Sequence, residues 1–189
     1  ISGSGGLAQV GTGMTTLTAD NTYAGTTTIS AGTLTIGGGG TTGAIGGGAV
    51  INNGALVLDR SDAVTFGNAI SGTGSITQAG GGTTTLVGDN SYSGATTISG
   101  GILQVGAGGT TGTLGTGAIT NNAALIINRS DSVTVAGAIS GAGSVTIAGG
   151  GTTTFTGANT YAGLTTISAG VLQIGAGGTA GLLGTGAVN

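Results

Sequence analysis

The charged side chains that could do acid–base chemistry in this 189-residue chain are few, and all of them are aspartate or arginine. Because His and Cys are absent, the sequence excludes a Ser-His-Asp triad and imidazole or thiolate metal sites. Asp59 and Asp62 lie close in sequence. Two neighbouring carboxylates could cleave a polysaccharide by acid–base catalysis, so this pair is a candidate catalytic site. The charged residues are Asp20, Asp59, Arg60, Asp62, Asp89, Arg129 and Asp131.

This carboxylate pair does not recur when the chain repeats itself. The tripeptide Ile-Ser-Gly at residue 1 returns at residue 70 and again at residue 139, so the two steps are equal and need no gap. In the second copy Asn128 takes the place of Asp59, although Arg129 and Asp131 are retained. We therefore interpret the cluster as an Asp/Arg contact at a solvated bend, and we predict no enzyme activity and no catalytic residue.

The sequence also predicts no bound cofactor and no metal ion. Asp20 and Asp89 become Ala158 in the third copy, which argues against a calcium site in every repeat. The glycine run 37–40 resembles a phosphate-binding loop, but it lacks the Gly-Lys-Ser/Thr ending. We interpret such runs as flexible bends.

The charge balance excludes two classes of partner. The net charge is −3 with only two cationic side chains, too few to neutralise a nucleic-acid backbone or an anionic membrane surface. Glycine contributes 47 residues and proline none, but the apolar residues are evenly spaced between turn residues, so a disordered chain is not expected. The remaining expectation is a regular repeat fold.

The elements that must position these residues are short strands. Short runs alternate in polarity and end at Gly, Asn, Ser or Asp, as strands do. A fixed long period favours a solenoid. Nine such runs in each 69-residue repeat predict a right-handed parallel β-helix with three sides, about three turns per repeat and about 23 residues per turn. The predicted stacks are Leu17, Ile45, Phe66 and Leu86; Ile29, Ile51, Ile70 or Ser71, and Ile98; and Leu34, Leu56, Ile76 and Leu103.

The predicted organisation is a single β-helix segment over residues 1–189, cut from a longer array. Repeat 1 covers residues 1–69, repeat 2 covers 70–138, and a partial repeat 3 covers 139–189. One bend recurs as Asn-x-Tyr-x-Gly, beginning at Asn21, Asn90 and Asn159. We expect the Asn side chain to cap backbone amides there and the Tyr ring to cover the bend.

The segment Thr152–Gly175, TTTFTGANTYAGLTTISAGVLQIG, resembles the passenger-associated repeat of bacterial autotransporters. Residues 83–106 and 15–37 show the same order of Thr-rich strand, Asn-x-Tyr-x-Gly bend and Gly-led apolar strand. The resemblance implies a β-helical passenger that a Gram-negative bacterium exports through its outer membrane, by means of a C-terminal β-barrel translocator outside these residues. It implies a protein that is secreted or held at the cell surface.

The expected function is that of a rigid structural spacer in an adhesin or extracellular fibre. The alternative is a repetitive module that binds glycans or a host surface. Near-neutral, hydroxyl-rich sides are also compatible with lateral self-association into fibres. Ice binding is disfavoured because the Thr-rich strands recur mainly once per repeat, and polysaccharide cleavage is disfavoured by the loss of Asp59 in the second copy.

Overall fold

The computed structural model describes residues 1–189 as an all-β chain. It contains no helix, and hence none long and apolar enough to cross a membrane. The strands are β1 (Leu7–Gln9), β2 (Met14–Leu17), β3 (Thr27–Ile29), β4 (Thr33–Gly37), β5 (Val50–Asn52), β6 (Ala55–Asp59), β7 (Ala63–Phe66), β8 (Ile70–Ser71), β9 (Ser75–Gln78), β10 (Thr83–Leu86), β11 (Thr96–Ile98), β12 (Ile102–Val105), β13 (Ile119–Asn121), β14 (Ala124–Ile127), β15 (Val133–Val135), β16 (Ile139–Ser140), β17 (Ser144–Ile147), β18 (Thr152–Phe155), β19 (Thr165–Ile167) and β20 (Val171–Ile174).

The strands form because every second side chain is buried in a core that all turns share. In β6, Leu56 and Leu58 are buried while Ala55 and Val57 are half-exposed. Each buried Leu, Ile, Val or Phe contributes about 1.5–3 kcal/mol. No single turn can enclose these side chains, but all 26 buried apolar residues belong to one cluster that runs along the axis. Stability therefore comes from the stacking of neighbouring turns.

Every pairing between strands is parallel, which confirms the predicted parallel β-helix. The strands visit three sides in rotation. Side 1 begins with β1–β3–β5–β8 and resumes with β15–β18–β20. Side 2 is the ladder β2–β4–β6–β9–β11–β13–β16, and side 3 is the ladder β7–β10–β12–β14–β17–β19.

The average turn of the solenoid is shorter than the sequence pattern predicts. Leu7 pairs with Thr27, Thr27 with Val50, and Val50 with Ile70, so three turns from Leu7 end at Ile70. The equivalent of Leu7 in the second copy is Ile76, which lies further along the chain, on side 2, paired with Thr96. A repeat is therefore longer than three turns by about one side. It occupies three and a third turns, or ten sides, and each copy is rotated by about a third of a turn from the last.

This rotation decides which predicted stacks are correct. The third stack is correct for its first three members, since Leu34, Leu56 and Ile76 are paired in register. It fails at the next step, because Ile76 is followed by Thr96 and not by Leu103. Leu103 lies on side 3 instead.

The first stack is wrong at its first member. Leu17 lies on side 2 and is followed there by Ile36 rather than Ile45. Phe66 and Leu86, in contrast, do stack on side 3. The predicted turn of about 23 residues is longer than the turn in the structure. The prediction therefore places Leu17 on side 3, one side away from its partners on side 2.

The second stack is wrong at two members. Ile29 pairs with buried Asn52, while its neighbour Ile51 points outward and is 42% exposed. Ile98 lies on side 2 and not beside Ser71 on side 1. An asparagine thus replaces an apolar side chain in the interior, where its amide bonds to the Ser75 carbonyl at 2.9 Å.

Glycine is required where one turn lies directly on the next. Gly101 has a φ of 59°, and a Cβ atom built on it would overlap the Gly82 carbonyl oxygen one turn earlier. Gly32 and Gly170 hold the corresponding places in the other copies, also with positive φ. A larger residue there would meet both backbone strain and the preceding turn.

One buried amide is only half satisfied. Gln78 is fully buried and its Nε2 donates to the Gly80 carbonyl at 2.9 Å, but its Oε1 has no partner. In the first copy the hydroxyl of Thr15 donates to the corresponding Oε1 of Gln9 at 2.5 Å. The third copy places Ile147 at this position and buries it completely.

We therefore expect Gln78→Ile to raise the free energy of unfolding by about 1 kcal/mol, because it removes an unsatisfied buried acceptor and adds apolar contact. Urea unfolding followed by far-UV circular dichroism would measure the change. Gln9→Ile is the matched control, and we expect it to give no gain because that amide is satisfied. A loss of stability in Gln78→Ile would contradict the prediction.

Candidate functional site

The charged cluster that could do chemistry is occupied by internal contacts. Arg60 donates through Nε to Asp62 Oδ1 at 2.8 Å and through Nη2 to Asp62 Oδ2 at 2.7 Å. Its Nη1 donates to the carbonyl of Gly43 at 2.8 Å, and Nη2 also reaches the carbonyl of Thr41. Asp59 forms no ion pair; it ends β6 opposite Gly37. Arg60 thus holds the Asp62 carboxylate and forms no ion pair with Asp59.

The second copy repeats this arrangement without the first carboxylate. Arg129 binds Asp131 through Nε and Nη2, both at 2.9 Å, and donates to the carbonyls of Thr110 and Gly112. The residue is only 6% exposed. The contacts of the arginine therefore recur in the second copy, although Asn128 replaces Asp59 there.

The contact between Arg60 and Asp62 shifts the pKa of both groups. The hydrogen bond from Arg60 lowers the pKa of Asp62, and the same bond raises the pKa of Arg60. A catalytic acid working near neutral pH needs the opposite shift, a raised carboxyl pKa. The lowered pKa favours the anionic, hydrogen-bond-accepting form of Asp62.

The sign of that shift gives a pH dependence. A carboxyl whose pKa is lowered by folding contributes its full stability above its ordinary value of 3.8 and loses it as the pH falls through the lowered value. We expect Asp62→Asn to be less stable than the parent protein at pH 6, and the difference between their melting temperatures to vanish at strongly acidic pH. Calorimetry across that range would measure it. A difference that grows on acidification would refute the assignment.

The partner of each arginine is a glycine-rich loop. In the first copy Asp20 Oδ1 accepts a hydrogen bond from the Gly43 amide at 2.9 Å, while Arg60 holds the carbonyl of the same residue. In the second copy Asp89 and Arg129 hold Gly112 in the same way. The sequence pattern suggested flexible bends here and did not indicate this contact, although an aspartate and an arginine recur at fixed distances from both loops.

The Asn-x-Tyr-x-Gly bend joins three successive turns. Asn90 Oδ1 accepts the amide hydrogen of Ile70, which lies one turn earlier, at 2.9 Å. Its Nδ2 donates to the carbonyl of Thr113, one turn later, at 2.7 Å. Asn159 does the same with Ile139 and Leu182. The predicted capping of a backbone amide is confirmed, and the contact to the following turn is an addition to it.

The tyrosine of this bend is part of the core, and its ring packs against the turn that follows. Tyr92 is completely buried, and its hydroxyl lies 2.7 Å from the hydroxyl of Thr96. Burial raises the pKa of Tyr92, which keeps the phenol protonated for this bond. A Cβ atom on Gly115 would lie 2.6 Å from the ring and would overlap the Tyr92 carbonyl oxygen, so the next turn must have glycine there.

The final glycine of the bend also allows turns to approach. A Cβ atom on Gly94 would lie 2.5 Å from the Gly74 carbonyl carbon, and one on Gly163 would meet Gly143 in the same way. Each invariant letter of the motif thus has a packing reason. The exposed side chains of the bend are those at its two x positions, such as Ser91 and Ser93.

One apolar depression opens between sides 2 and 3 of the first copy. Ile36, Ile45, Leu58 and Phe66 line it, and Arg60 and Asn68 stand among them. The Asn68 amide donates to the carbonyls of Gly46 and Gly48, and the Arg60 donors are occupied as described. Arg60 and Asn68 thus direct their hydrogen-bond donors at other groups of the chain.

Three segments match the family described as passenger-associated-transport-repeat, at residues 7–36, 76–105 and 145–174. The three matches begin at equivalent positions of the three copies. Each includes the Asn-x-Tyr-x-Gly bend and the strands on either side of it.

A curated relative is the adhesin BmaC autotransporter of Brucella suis biovar 1 (strain 1330), which is 46% identical over 87 residues. That alignment covers 46% of this chain and about 2% of the length of the relative. No solved structure matches the chain.

Proposed function

We propose that this chain, which is built from passenger-associated transport repeats, is a rigid spacer in an adhesin-like extracellular fibre. In autotransporter passengers such repeats are secreted or displayed on the cell surface. The observation that supports this role is the unbroken ladder of side 2, seven parallel strands from β2 to β16. Continuous hydrogen bonding between turns resists bending. The role we propose is structural and not enzymatic.

The spacer mechanism is length gained in fixed steps. Turns of a parallel β-helix are about 4.8 Å apart, so a repeat of three and a third turns adds about 16 Å. The three-turn arrangement expected from the sequence would add only about 14 Å. The charged residues and Gly loops change between copies without altering this step, because the Asn, Tyr and Gly of the bend stay in place.

We expect the length of tandem arrays to rise by about 16 Å for each repeat added. Electron microscopy of arrays of two, six and twelve repeats would give this slope. Two spin labels at Thr28 and Thr97, which are equivalent in successive copies, would report whether the second lies on a different side. Compact particles would contradict the rigid spacer. A slope of about 14 Å with both labels on one side would contradict the rotation between copies.

The hydrogen bonds of the two arginines also favour resistance to proteases. The only two basic residues are Arg60 and Arg129, and both side chains are buried to about nine-tenths, at 11% and 7% exposure. Trypsin must extend the chain around an arginine, and each of these is held by several hydrogen bonds. A spacer outside the cell benefits from this protection.

The second candidate function is a binding module for glycans or a host surface. The observation in its favour is the set of hydroxyls that face solvent on side 2, among them Thr16 and Thr120. Replacing these two residues with valine should abolish glycan-array binding if they carry it, whereas a pure spacer would tolerate the change. The relative is named an adhesin, but the chain spans about 2% of it, so any adhesion by the whole protein is a proposal.

For the partners of the whole protein we propose a C-terminal outer-membrane translocator elsewhere in the full-length chain, since autotransporter passengers are exported in that way. We further propose that no nucleic acid, cofactor or metal ion takes part. The two cations and the absence of His and Cys support this part of the proposal.

A further inference from the structure

Side 2 presents a column of outward hydroxyls that the sequence does not reveal as a column. Thr77 pairs with Thr97, Thr97 with Thr120, and Thr120 with Ser140, so four successive turns place a hydroxyl at the same height on the side. Beside it runs a second column of small residues, each two positions earlier: Ser75, Ala95, Ala118 and Ala138. We call these eight residues the hydroxyl stripe.

The stripe belongs to the second copy because two of its hydroxyl residues are specific to that copy: Thr77 and Thr120 stand where the first copy has Ala8 and Ile51. The four strands that carry it, β9, β11, β13 and β16, lie on successive turns of side 2. Strands such as β9 and β13 contribute single hydroxyls to the column without being Thr-rich, so the recurrence of Thr-rich strands along the sequence does not reveal it. The hydroxyls of Thr77, Thr97 and Thr120 make no hydrogen bond within the chain, and Ser140 makes only a long one of 3.3 Å.

The stripe is also free of charge. The charged residues of the chain all lie outside its four strands, and Asp89, in the segment that leads to β11, is bound to the Gly112 amide. The equivalent column of the first copy, on side 1, has two hydroxyls instead of four. That column consists of Ala8, Thr28, Ile51 and Ser71. The chain thus contains its own comparison surface at equivalent positions of the repeat.

We propose that the hydroxyl stripe is a lateral contact surface for a second copy of the same solenoid. A hydroxyl both donates and accepts, so a column of hydroxyls is complementary to a copy of itself in either direction. A second solenoid has the same spacing of about 4.8 Å between turns, so all four hydroxyls can pair at once. The small second column allows close approach, and no charge is buried by it.

The area of the stripe sets the strength of this contact. Four turns of two columns cover roughly 200 Å², far below the ~800 Å² per partner of a stable interface. One segment should therefore associate only briefly. In a long array, the position equivalent to the stripe returns to the same side after every third repeat. The free energies of these weak contacts then reinforce one another, because the sites are linked in one chain. This proposal is independent of the spacer role, because a spacer without lateral contacts would still be rigid.

The test uses the absence of cysteine in the chain. Thr97→Cys places a thiol in the stripe, and Thr28→Cys places one at the equivalent position of side 1; both threonines are partly exposed. Each protein is concentrated and oxidised with oxidised glutathione, and dimers are counted on a non-reducing gel. The rates are normalised to the reaction of each thiol with a small disulfide reagent.

We expect Thr97→Cys to form dimers about tenfold faster than Thr28→Cys, which corresponds to ~1.4 kcal/mol. Adding Thr120→Lys to Thr97→Cys should abolish the advantage, because each copy would then bring an unpaired positive charge into the contact and the two charges repel each other. Thr120 is exposed, so this change leaves the fold intact, as circular dichroism would verify. Equal rates for the two cysteine variants would overturn the proposal, as would an advantage that survives the lysine. Polysaccharide binding by the stripe without faster dimer formation would also overturn it.

Discussion

Gly115→Ala is expected to destabilise this protein by about 3 kcal/mol, because it forces a methyl group into the backbone and ring of the preceding turn. The Cβ atom would overlap the Tyr92 carbonyl oxygen and lie 2.6 Å from two ring carbons. Tyr92 cannot retreat, since it is fully buried and its hydroxyl is bonded to Thr96. Urea unfolding followed by circular dichroism would measure the loss.

Gly109→Ala is the control from the same repeat. Gly109 lies in the exposed part of the Gly loop, a Cβ atom there would meet nothing within 4 Å, and its φ is not positive. We expect a change of less than about 0.5 kcal/mol. Gly46 and Gly184 lie over Tyr23 and Tyr161 in the other copies, so alanine there should repeat the large effect. If Gly115→Ala behaved like Gly109→Ala, the assigned packing of the bend on the tyrosine would be incorrect.

The repeat and its strands could be predicted from the sequence because local signals determine them. Alternating residues such as Leu56 and Leu58 mark a strand by themselves, and so does the Gly, Asn or Ser that ends it. The parallel β-helix follows from short strands in a fixed long period. These parts of the prediction needed no knowledge of which turn lies on which.

The number of sides per repeat could not be predicted, because two geometries fit one repeat. Three long turns and three and a third shorter turns both allow a regular alternation of apolar residues along the chain. The pairs that distinguish them join strands far apart in the repeat, such as Ile76 with Thr96. Turns also differ in length, since the turn from Leu7 to Thr27 is shorter than the turn from Thr27 to Val50. The period alone does not contain that information.

The charged cluster shows a second limit of sequence reasoning. The loss of Asp59 in the second copy argues against a repeated catalytic pair, but it does not show what Arg129 contacts. The acceptors of that arginine include the carbonyls of Thr110 and Gly112, and a backbone carbonyl leaves no mark in a sequence. The same holds for the Asn bend, where the partners of Asn90 are an amide and a carbonyl of two other turns.

Those backbone partners make Asn90→Ala the second change with a large expected effect. Alanine would leave the Ile70 amide and the Thr113 carbonyl without the side chain that now joins them, in a place where Ile70 is fully buried and Asn90 is 6% exposed. Each orphaned buried group costs about 1–3 kcal/mol, so we expect a loss of about 2–6 kcal/mol. Urea unfolding would measure the total, and hydrogen exchange of the Ile70 amide would show the local opening.

Asn122→Ala is the matched control, because Asn122 is an exposed asparagine at another bend of the same repeat and its Oδ1 accepts only a long bond of 3.4 Å from Ala142. We expect it to change the free energy of unfolding by less than about 0.5 kcal/mol. Similar losses in the two variants would show that Asn90 does no more than occupy a bend. A large loss confined to Asn90→Ala, together with faster exchange at Ile70, requires that this one side chain holds three turns in line. In the proposed spacer, Asn90 and its equivalents Asn21 and Asn159 would then help to keep the turns of each repeat aligned.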